Sequence, residues 1–325
     1  MTKSINRKEF IRLSTAAALS VPMWSLVSCN TGNQGSKQES GATTDSMDDT
    51  YASHPGLQLY TVRDLFSKDP EGTLSQLAGM GIKQLEFYDY NAIKTYVPKV
   101  NDLGMKVIST HFMPGFITGN WGDPSQGGMT PPENYGFEQL VEDCASHDIK
   151  YAGIAFLFPW DRTSLDDYKH IAEKANEAGE LSKKSGVQLY YHNHSFEFAP
   201  MDGTTPFEEM IKIMDPELVK LELDLFWTKI SGNDPAEMVS KHADRVIMMH
   251  LKDLKAGTPQ DTQTMGVDPG AFQPVGDGVI DFKQVLTAAH AAHVPYAFIE
   301  QDQSPDRPVM ESIQRSLDYL KELGL

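Results

Sequence analysis

Val187-Gln188-Leu189-Tyr190-Tyr191-His192 is a short apolar and aromatic run of the kind that forms a strand. Thr205-Pro206-Phe207-Glu208 then sets a capping residue ahead of a proline, as a helix start does, and Val219-Lys220-Leu221-Glu222-Leu223-Asp224 returns to a strand. The unit repeats at once, because Asp234-Pro235-Ala236-Glu237 opens another helix and Val246 to Leu251 another strand. Outward from this block, similar runs lie at Gly56 to Tyr60, Gln84 to Tyr88, Lys106 to Thr110, Tyr151 to Phe156 and Tyr296 to Glu300, which makes eight. Asp69-Pro70 is a further cap-plus-proline start, and Gly81, Gly104 and Gly186 each follow a helical stretch as a left-handed terminator would. The last helix, Val309 to Leu323, lines up Val309, Ile313, Leu317 and Leu320 on one stripe. Strands that alternate with helices pair in parallel, and eight such units over ~250 residues predict a (β/α)8 TIM barrel. An open doubly wound sheet would bring a glycine-rich phosphate loop after the first strand, and Tyr60-Thr61-Val62-Arg63-Asp64 offers none.

The residues before the barrel read as an address. Arg7 and Lys8 precede an apolar, small-residue-rich stretch from Leu13 to Val27 that ends Leu26-Val27-Ser28-Cys29. That ending resembles the box of bacterial lipoprotein signal peptides, and Asn6-Arg7-Lys8-Glu9-Phe10-Ile11 resembles a twin-arginine signal with one lysine substituted. The resemblance implies a signal peptide over residues 1–28, cleavage before Cys29, a lipid on its thiol and a periplasmic location. The chain has 2 cysteines, so acylation of Cys29 leaves Cys144 alone and no intramolecular disulfide can form. Residues 29–54 are rich in Ser, Thr, Gly, Gln and Asp and read as a flexible tether, which puts the barrel at residues 55–325.

Charge narrows the partners. The 325 residues carry 28 Lys+Arg against 45 Asp+Glu, a net charge of −17 (28 − 45), and 40% are hydrophobic, enough for a sizeable core. The first 28 residues contribute +3 (four basic, one acidic), so the remainder stands at −20 (−17 − 3). Phosphate backbones demand the opposite sign, which excludes nucleic acid as a partner class. No run of eighteen uninterrupted apolar residues offers an ordinary membrane-spanning helix, so any membrane contact passes through the lipid anchor.

In such a barrel the chemistry collects at the carboxyl ends of the strands. Those ends carry Tyr60 with Arg63, Glu86, His111, His192 with His194, Asp224, His250 with Lys252, and Glu300; only the fourth, Phe156-Leu157-Phe158-Pro159-Trp160, is apolar. Buried His, Asp and Glu are costly unless paired or bound to a cation, and a divalent metal is the simplest common partner. Asp224, His250, Glu300 and His192 make a mixed nitrogen and oxygen set suited to one Mn2+, Zn2+, Co2+ or Fe2+ ion. His192 and His194 share one side of their strand. Spacing does not choose between them as ligand; His192 is favoured, with His194 toward substrate.

These stretches resemble the xylose-isomerase-like TIM barrels, also called the sugar phosphate isomerase/epimerase family, which includes tagatose 3-epimerase, inosose dehydratase and endonuclease IV. The carrying residues are Gly56 to Asp64, Tyr191-His192-Asn193-His194-Ser195-Phe196-Glu197-Phe198, Glu222 to Trp227, His250-Leu251-Lys252-Asp253, Gly276-Asp277-Gly278 with Asp281, and Ile299-Glu300-Gln301-Asp302. The resemblance implies a metal held at the ends of the fifth to eighth strands, with Asp224, His250 and Glu300 matching directly. His192 stands where epimerases of the family commonly place a glutamate, a departure in which the chain looks closer to inosose dehydratase and to enzymes acting on keto-sugars.

The departure bears on mechanism. A metal-bound ketone acidifies its α-hydrogen, Glu300 is placed to remove that proton, and Lys252, His111 or Glu86 to donate to an oxygen. Reprotonation gives isomerisation or epimerisation, and loss of a β-substituent gives elimination, as in a dehydratase or an enzyme opening a keto-glycoside. A sugar-binding lipoprotein without turnover is the reading from another class. Tyr60, Arg63 and Trp227 join His194 as candidate carbohydrate contacts, with Phe158, Trp160 and Phe226 as further aromatic platforms. The oligomeric state is not legible in the sequence. The Gly- and Pro-rich segment from Gly115 to Pro132 is a candidate lid.

Overall fold

A computed structural model describes residues 51–324. The expected signal peptide, Cys29 and all of the tether up to residue 50 lie outside the described residues. Eight parallel strands close into a barrel: β1 (Gly56–Gln58), β2 (Gln84–Phe87), β3 (Lys106–Phe112), β4 (Tyr151–Ile154), β5 (Gln188–His192), β6 (Val219–Asp224), β7 (Val246–Leu251) and, after a two-stranded ribbon of β8 (Asp253–Leu254) and β9 (Phe272–Gln273), β10 (Tyr296–Ile299). β10 pairs with both β7 and β1, so the sheet closes on itself.

Local chemistry places the helices where the sequence predicts them. Asp69, Thr205 and Asp234 each accept backbone N–H bonds at the first turn of a helix that begins with proline. Gly81, Gly104 and Gly186 adopt φ of +96°, +75° and +75°, a left-handed conformation that glycine enters without a Cβ clash. The helix Val309–Leu323 buries Ile313 and Leu320 as its stripe requires.

Two boundaries differ from expectation. β1 ends at Gln58, not Tyr60, because the Gln58 side-chain oxygen accepts the Tyr60 N–H and turns the chain into a 3-10 turn. The tether ends earlier than His54, since Tyr51 is half-buried and its hydroxyl donates to the Val294 carbonyl at 2.6 Å. Cys144 is buried and unpaired, and burial pushes its thiol up to about 12. Among the described residues no helix is long and apolar enough to cross a membrane.

Inside the barrel the inward positions stack in layers, as alternate residues of a strand face one side. Tyr190, Met248 and Phe298 form an apolar layer of their own, separate from the main core. Gly153 on β4 leaves room for the Tyr190 ring, against which any Cβ would clash. One step toward the carboxyl ends, the same strands carry His192, His250 and Glu300, and β6 carries Glu222 and Asp224.

Candidate active site at the carboxyl ends of the strands

Register sets the first pair. Asp224 and His250 are directly opposed on β6 and β7, so both side chains leave neighbouring strands toward the interior at one height. Glu300, just past β10, is tied to β7 by its N–H to the Leu251 carbonyl at 3.1 Å. Asp224, His250 and Glu300 thereby bring one donor atom each within 4.8 Å of one another. His250 Nδ1 is 2.8 Å from Glu300 Oε2 and 3.7 Å from Asp224 Oδ2.

Lys252 completes this part of the wall. Its ammonium lies 2.6 Å from Glu300, 3.0 Å from Asp224 and 2.9 Å from Asp302. Buried Asp224 and Glu300 and the part-exposed Asp302 therefore share one ammonium, and the excess negative charge calls for a further cation. Burial raises Asp302 to about 6, while Lys252 holds Asp224 and Glu300 below the usual carboxylate range against the opposing pull of burial. Asp224 Oδ2 and His250 Nδ1 are buried without an aligned hydrogen bond, the Lys252 contact to Asp224 being an ion pair only. These two orphaned atoms, one carboxylate oxygen and one imidazole nitrogen, with the Glu300 carboxylate as a third donor, fit a divalent ion by number and by type.

His192 stands next to this group, with Nε2 3.8 Å from Asp224 Oδ2. Burial and the neighbouring His250 keep its imidazole below the ordinary histidine value, the neutral state a ligand needs. His194 joins neither ligand group. It faces Phe156, Phe196 and Trp227, with ring centroids 4.8, 5.5 and 5.4 Å away.

A cavity of about 550 Å3 opens here, lined by Tyr60, Tyr88, His111, Phe156, Phe158, His192, His194, Trp227, Lys252 and Glu300 among others. Asp224 and His250 are fully buried behind it. Four expectations need correcting. Glu86 is absent from the wall: it sits fully buried against His250, its carboxylate taken by Gln58 (2.5 Å), His250 (2.7 Å), Tyr190 (2.7 Å) and Ser109. Arg63 is absent too, because its guanidinium donates to the carbonyls of Tyr60 and Asp302 and lies over the Tyr60 ring. Phe226 is buried against Phe272, and Trp160 stacks behind Phe158. The cavity is roofed by Thr264 to Val267 and Pro269, not by the Gly115–Pro132 segment, whose Asn120 is bonded to the Trp160 carbonyl.

The structure adds residues that the strand-end rule does not reach. Glu222 accepts from His111 Nε2 (2.9 Å) and His192 Nδ1 (3.1 Å), and those three with His250 form a second cluster of donor atoms. Its signal is spacing: Glu222 is two residues before Asp224, hence on the same strand face. Asp253 anchors the Gly276 to Ile280 loop by accepting the N–H groups of Gly276, Gly278 and Ile280; a Cβ at Gly278 would strike Asp253 itself, and one at Gly276, where φ is +93°, the Tyr319 ring.

Comparison with known proteins places this geometry. An inosose dehydratase of Clostridium perfringens is 30% identical over 166 residues, covering 48% of this chain and 55% of that protein, so the chain spans about half the length of such relatives. A crystal structure of a sugar phosphate isomerase/epimerase from Parabacteroides distasonis superposes with a TM-score of 0.66 at 24% identity, over 81% of this chain and 92% of that one. A D-psicose 3-epimerase from Clostridium cellulolyticum, solved with D-tagatose, gives 0.59 at 14% identity, over 82% and 98%. These likenesses show the fold. With the xylose isomerase-like TIM barrel family model matching residues 78–323, the chain belongs to that family.

Proposed function

We propose that the protein is a divalent-metal-dependent enzyme that removes the proton beside the carbonyl of a sugar or keto-sugar and returns it, giving isomerisation or epimerisation. The observation that carries the reading is the convergence of Asp224, His250 and Glu300 within 4.8 Å behind a cavity. Those three residues, with His192 beside them, would hold the ion. When bound, a Mn2+, Zn2+, Co2+ or Fe2+ ion would supply Lewis-acid stabilisation of the enediolate.

The chain's own groups divide the remaining work. Glu300, kept ionised by Lys252 and bordering the cavity, takes the α-proton. Lys252 is held far above its ordinary value by the three carboxylates, which outweigh its burial, so it serves as a fixed positive hydrogen-bond donor to an oxygen that gains charge. The Phe156, Phe158 and Trp227 rings offer apolar faces to sugar C–H groups, and Tyr60 and His194 offer polar edges.

Elimination is the second reading. It is favoured by the inosose dehydratase relative and by His192 in place of a glutamate, which leaves one ligand carboxylate able to act as a base. Incubation of the purified protein with keto-sugars in heavy water tests all readings. Deuterium at the α-carbon with about one divalent ion per chain supports the proposal, and accumulation of an unsaturated ketone assigns elimination. Sugar binding without exchange would leave a non-catalytic binding protein and reject the enzyme reading. Export and anchoring through Cys29 belong to the same proposal, supported by Leu26-Val27-Ser28-Cys29. Incorporation of labelled palmitate, lost in Cys29→Ala, is the expected result.

A further inference from the structure

We infer that Glu86 and Glu222 are positioning residues that hold the two site histidines in opposite tautomers, so that His250 presents Nδ1 and His192 presents Nε2 to the ion. The inference rests on the metal reading above and deepens it.

His250 is gripped from both sides. Its Nε2 is 2.7 Å from Glu86 Oε1 and 3.2 Å from Glu222 Oε1, two acceptors, so this nitrogen carries a hydrogen. Its Nδ1 is left facing Glu300 and Asp224, without an aligned hydrogen bond. His192 is turned the other way: Nδ1 lies 3.1 Å from Glu222 Oε2, and Nε2 faces Asp224 Oδ2. A hydrogen on the nitrogen that meets the carboxylate frees the far one as a ligand, the carboxylate–histidine–metal arrangement.

The two carboxylates cannot turn to suit other partners. Glu86 is pinned by Gln58, Tyr190 and Ser109 in addition to His250. His111 Nε2 straps the pair together, 2.9 Å from Glu222 and 3.2 Å from Glu86. Replacing Glu86 by glutamine converts one acceptor into an NH2. The neutral amide is a weaker acceptor than the carboxylate, and an NH2 in the place of Oε1 would meet the donors Gln58 Nε2 and His250 Nε2, so the ring loses the charged partner that fixes its hydrogen on Nε2. Glu222→Gln likewise removes the charged acceptor that His192 Nδ1 meets and that lies 3.2 Å from His250 Nε2.

The competing use of these residues is a second metal ion, since His111, His192, Glu222 and His250 also offer donor atoms within 4.8 Å of one another. The tautomer assignment forbids it, because the nitrogens that face Glu222 carry hydrogens.

The test is Zn2+ titration of the full chain by calorimetry, with nitrogen-15 NMR of the histidine rings in the loaded protein. One Zn2+ per chain, ligation through Nδ1 of one site histidine and Nε2 of the other, and a 10- to 100-fold weaker Zn2+ affinity in both Glu86→Gln and Glu222→Gln are expected. Glu86→Gln should alter the His250 signals and spare those of His192, whereas Glu222→Gln, whose carboxylate meets both rings, should alter the His192 signals; general loss of structure would not spare His192 in the first variant. The tautomers of the unmodified protein decide the matter even if a variant fails to fold. Two Zn2+ per chain, the same ring nitrogen ligating in both histidines, or two folded variants with unchanged affinity overturns the inference and leaves the metal reading standing. No Zn2+, Mn2+ or Co2+ binding by the unmodified protein overturns both.

Discussion

One part of the cavity wall is charged and another is aromatic, and the two are held together in different ways. Lys252, Glu300 and Asp302, with Asp224 and His250 behind them, are bound by ion pairs of 2.6 to 3.7 Å in which anions outnumber the lysine. Phe156, Phe158, His194 and Phe196 are bound by ring contacts at centroid separations of 4.8 to 5.5 Å, and the one buried polar atom they leave without a hydrogen bond is His194 Nδ1. The charged part lacks a counter-charge, whereas the aromatic part lacks only a hydrogen-bond partner. Substitutions in the first should therefore strike ion binding and turnover while sparing the fold, and substitutions in the second should strike substrate affinity or stability.

The sharpest way to break this contrast is Asp224→Asn. The variant keeps the side-chain oxygen that accepts the Trp227 N–H at 2.9 Å, so the short helix after β6 survives, but a carboxylate ligand is gone. Loss of the bound ion, read by elemental analysis, and a fall in kcat/KM of about three orders of magnitude or more are expected, since Lewis-acid stabilisation contributes several kcal/mol. Retention of the ion would end the assignment of the charged wall.

Lys252→Met comes next. Removal of the ammonium takes away a charge-stabilising donor worth about 10^2 to 10^3 in rate, so kcat should fall within that range. The same change removes a positive charge that contacts both ligand carboxylates, so affinity for the ion should rise. The fall in kcat separates a role toward substrate from a mere ion pair at the strand end, which predicts the rise in ion affinity without that loss of rate.

Beneath the aromatic part lies a group that can be read through pH. Burial raises the Glu197 carboxyl from 4.5 to about 7, against bonds from the Tyr191 hydroxyl and the His194 N–H. The folded chain keeps a proton there that the unfolded chain releases near pH 4.5, so the contribution of this group to stability is full below pH 4.5 and is lost as pH rises through 7. At about 1.4 kcal/mol per unit the loss is about 3 kcal/mol. Denaturant titrations of the wild type and Glu197→Gln between pH 4 and pH 8 should show the variant gaining on the wild type by about that amount, whatever constant offset its altered hydrogen bonds introduce. Parallel curves would show that burial does not raise the Glu197 carboxyl above its unfolded value.

What the sequence reveals about this contrast is uneven for a physical reason. The eight strands and the capped helix starts are local, and the structure reproduces them with small shifts at strand ends, Gln58 supplying one cause. Asp224, His250 and Glu300 are legible because each is a polar group at a strand end. Depth is not legible from that rule. Glu86 is one residue from the end of β2, yet its neighbours close over it, and Glu222 emerges only by walking back two residues from Asp224. Arg63 has a side chain long enough to reach the carbonyl of Asp302, 239 positions away in the chain, and which loop roofs the cavity is equally a matter of tertiary packing. Local pattern yields elements and strand ends, while layer and reach depend on what the rest of the chain brings near.

Trp227 joins the two parts of the wall and gives the smallest effect and the finest discrimination. Its ring lies 5.4 Å from the Lys252 ammonium, 5.4 Å from His194 and 5.8 Å from Phe272. Its Nε1 is buried with no protein acceptor, so a ring that spends its N–H on nothing in the protein is placed to spend it on a ligand hydroxyl. Trp227→Phe keeps the apolar face and removes only that donor, and Trp227→Leu removes the aromatic face as well. A hydrogen bond from a neutral donor contributes about 1 kcal/mol and an aromatic face a comparable amount, so KM should rise about fivefold in Trp227→Phe and further in Trp227→Leu, with kcat nearly constant in both. A fall in kcat with KM unchanged would move Trp227 to the charged part, as the residue that orients Lys252, and the boundary between the two parts would then run through the ring instead of beside it.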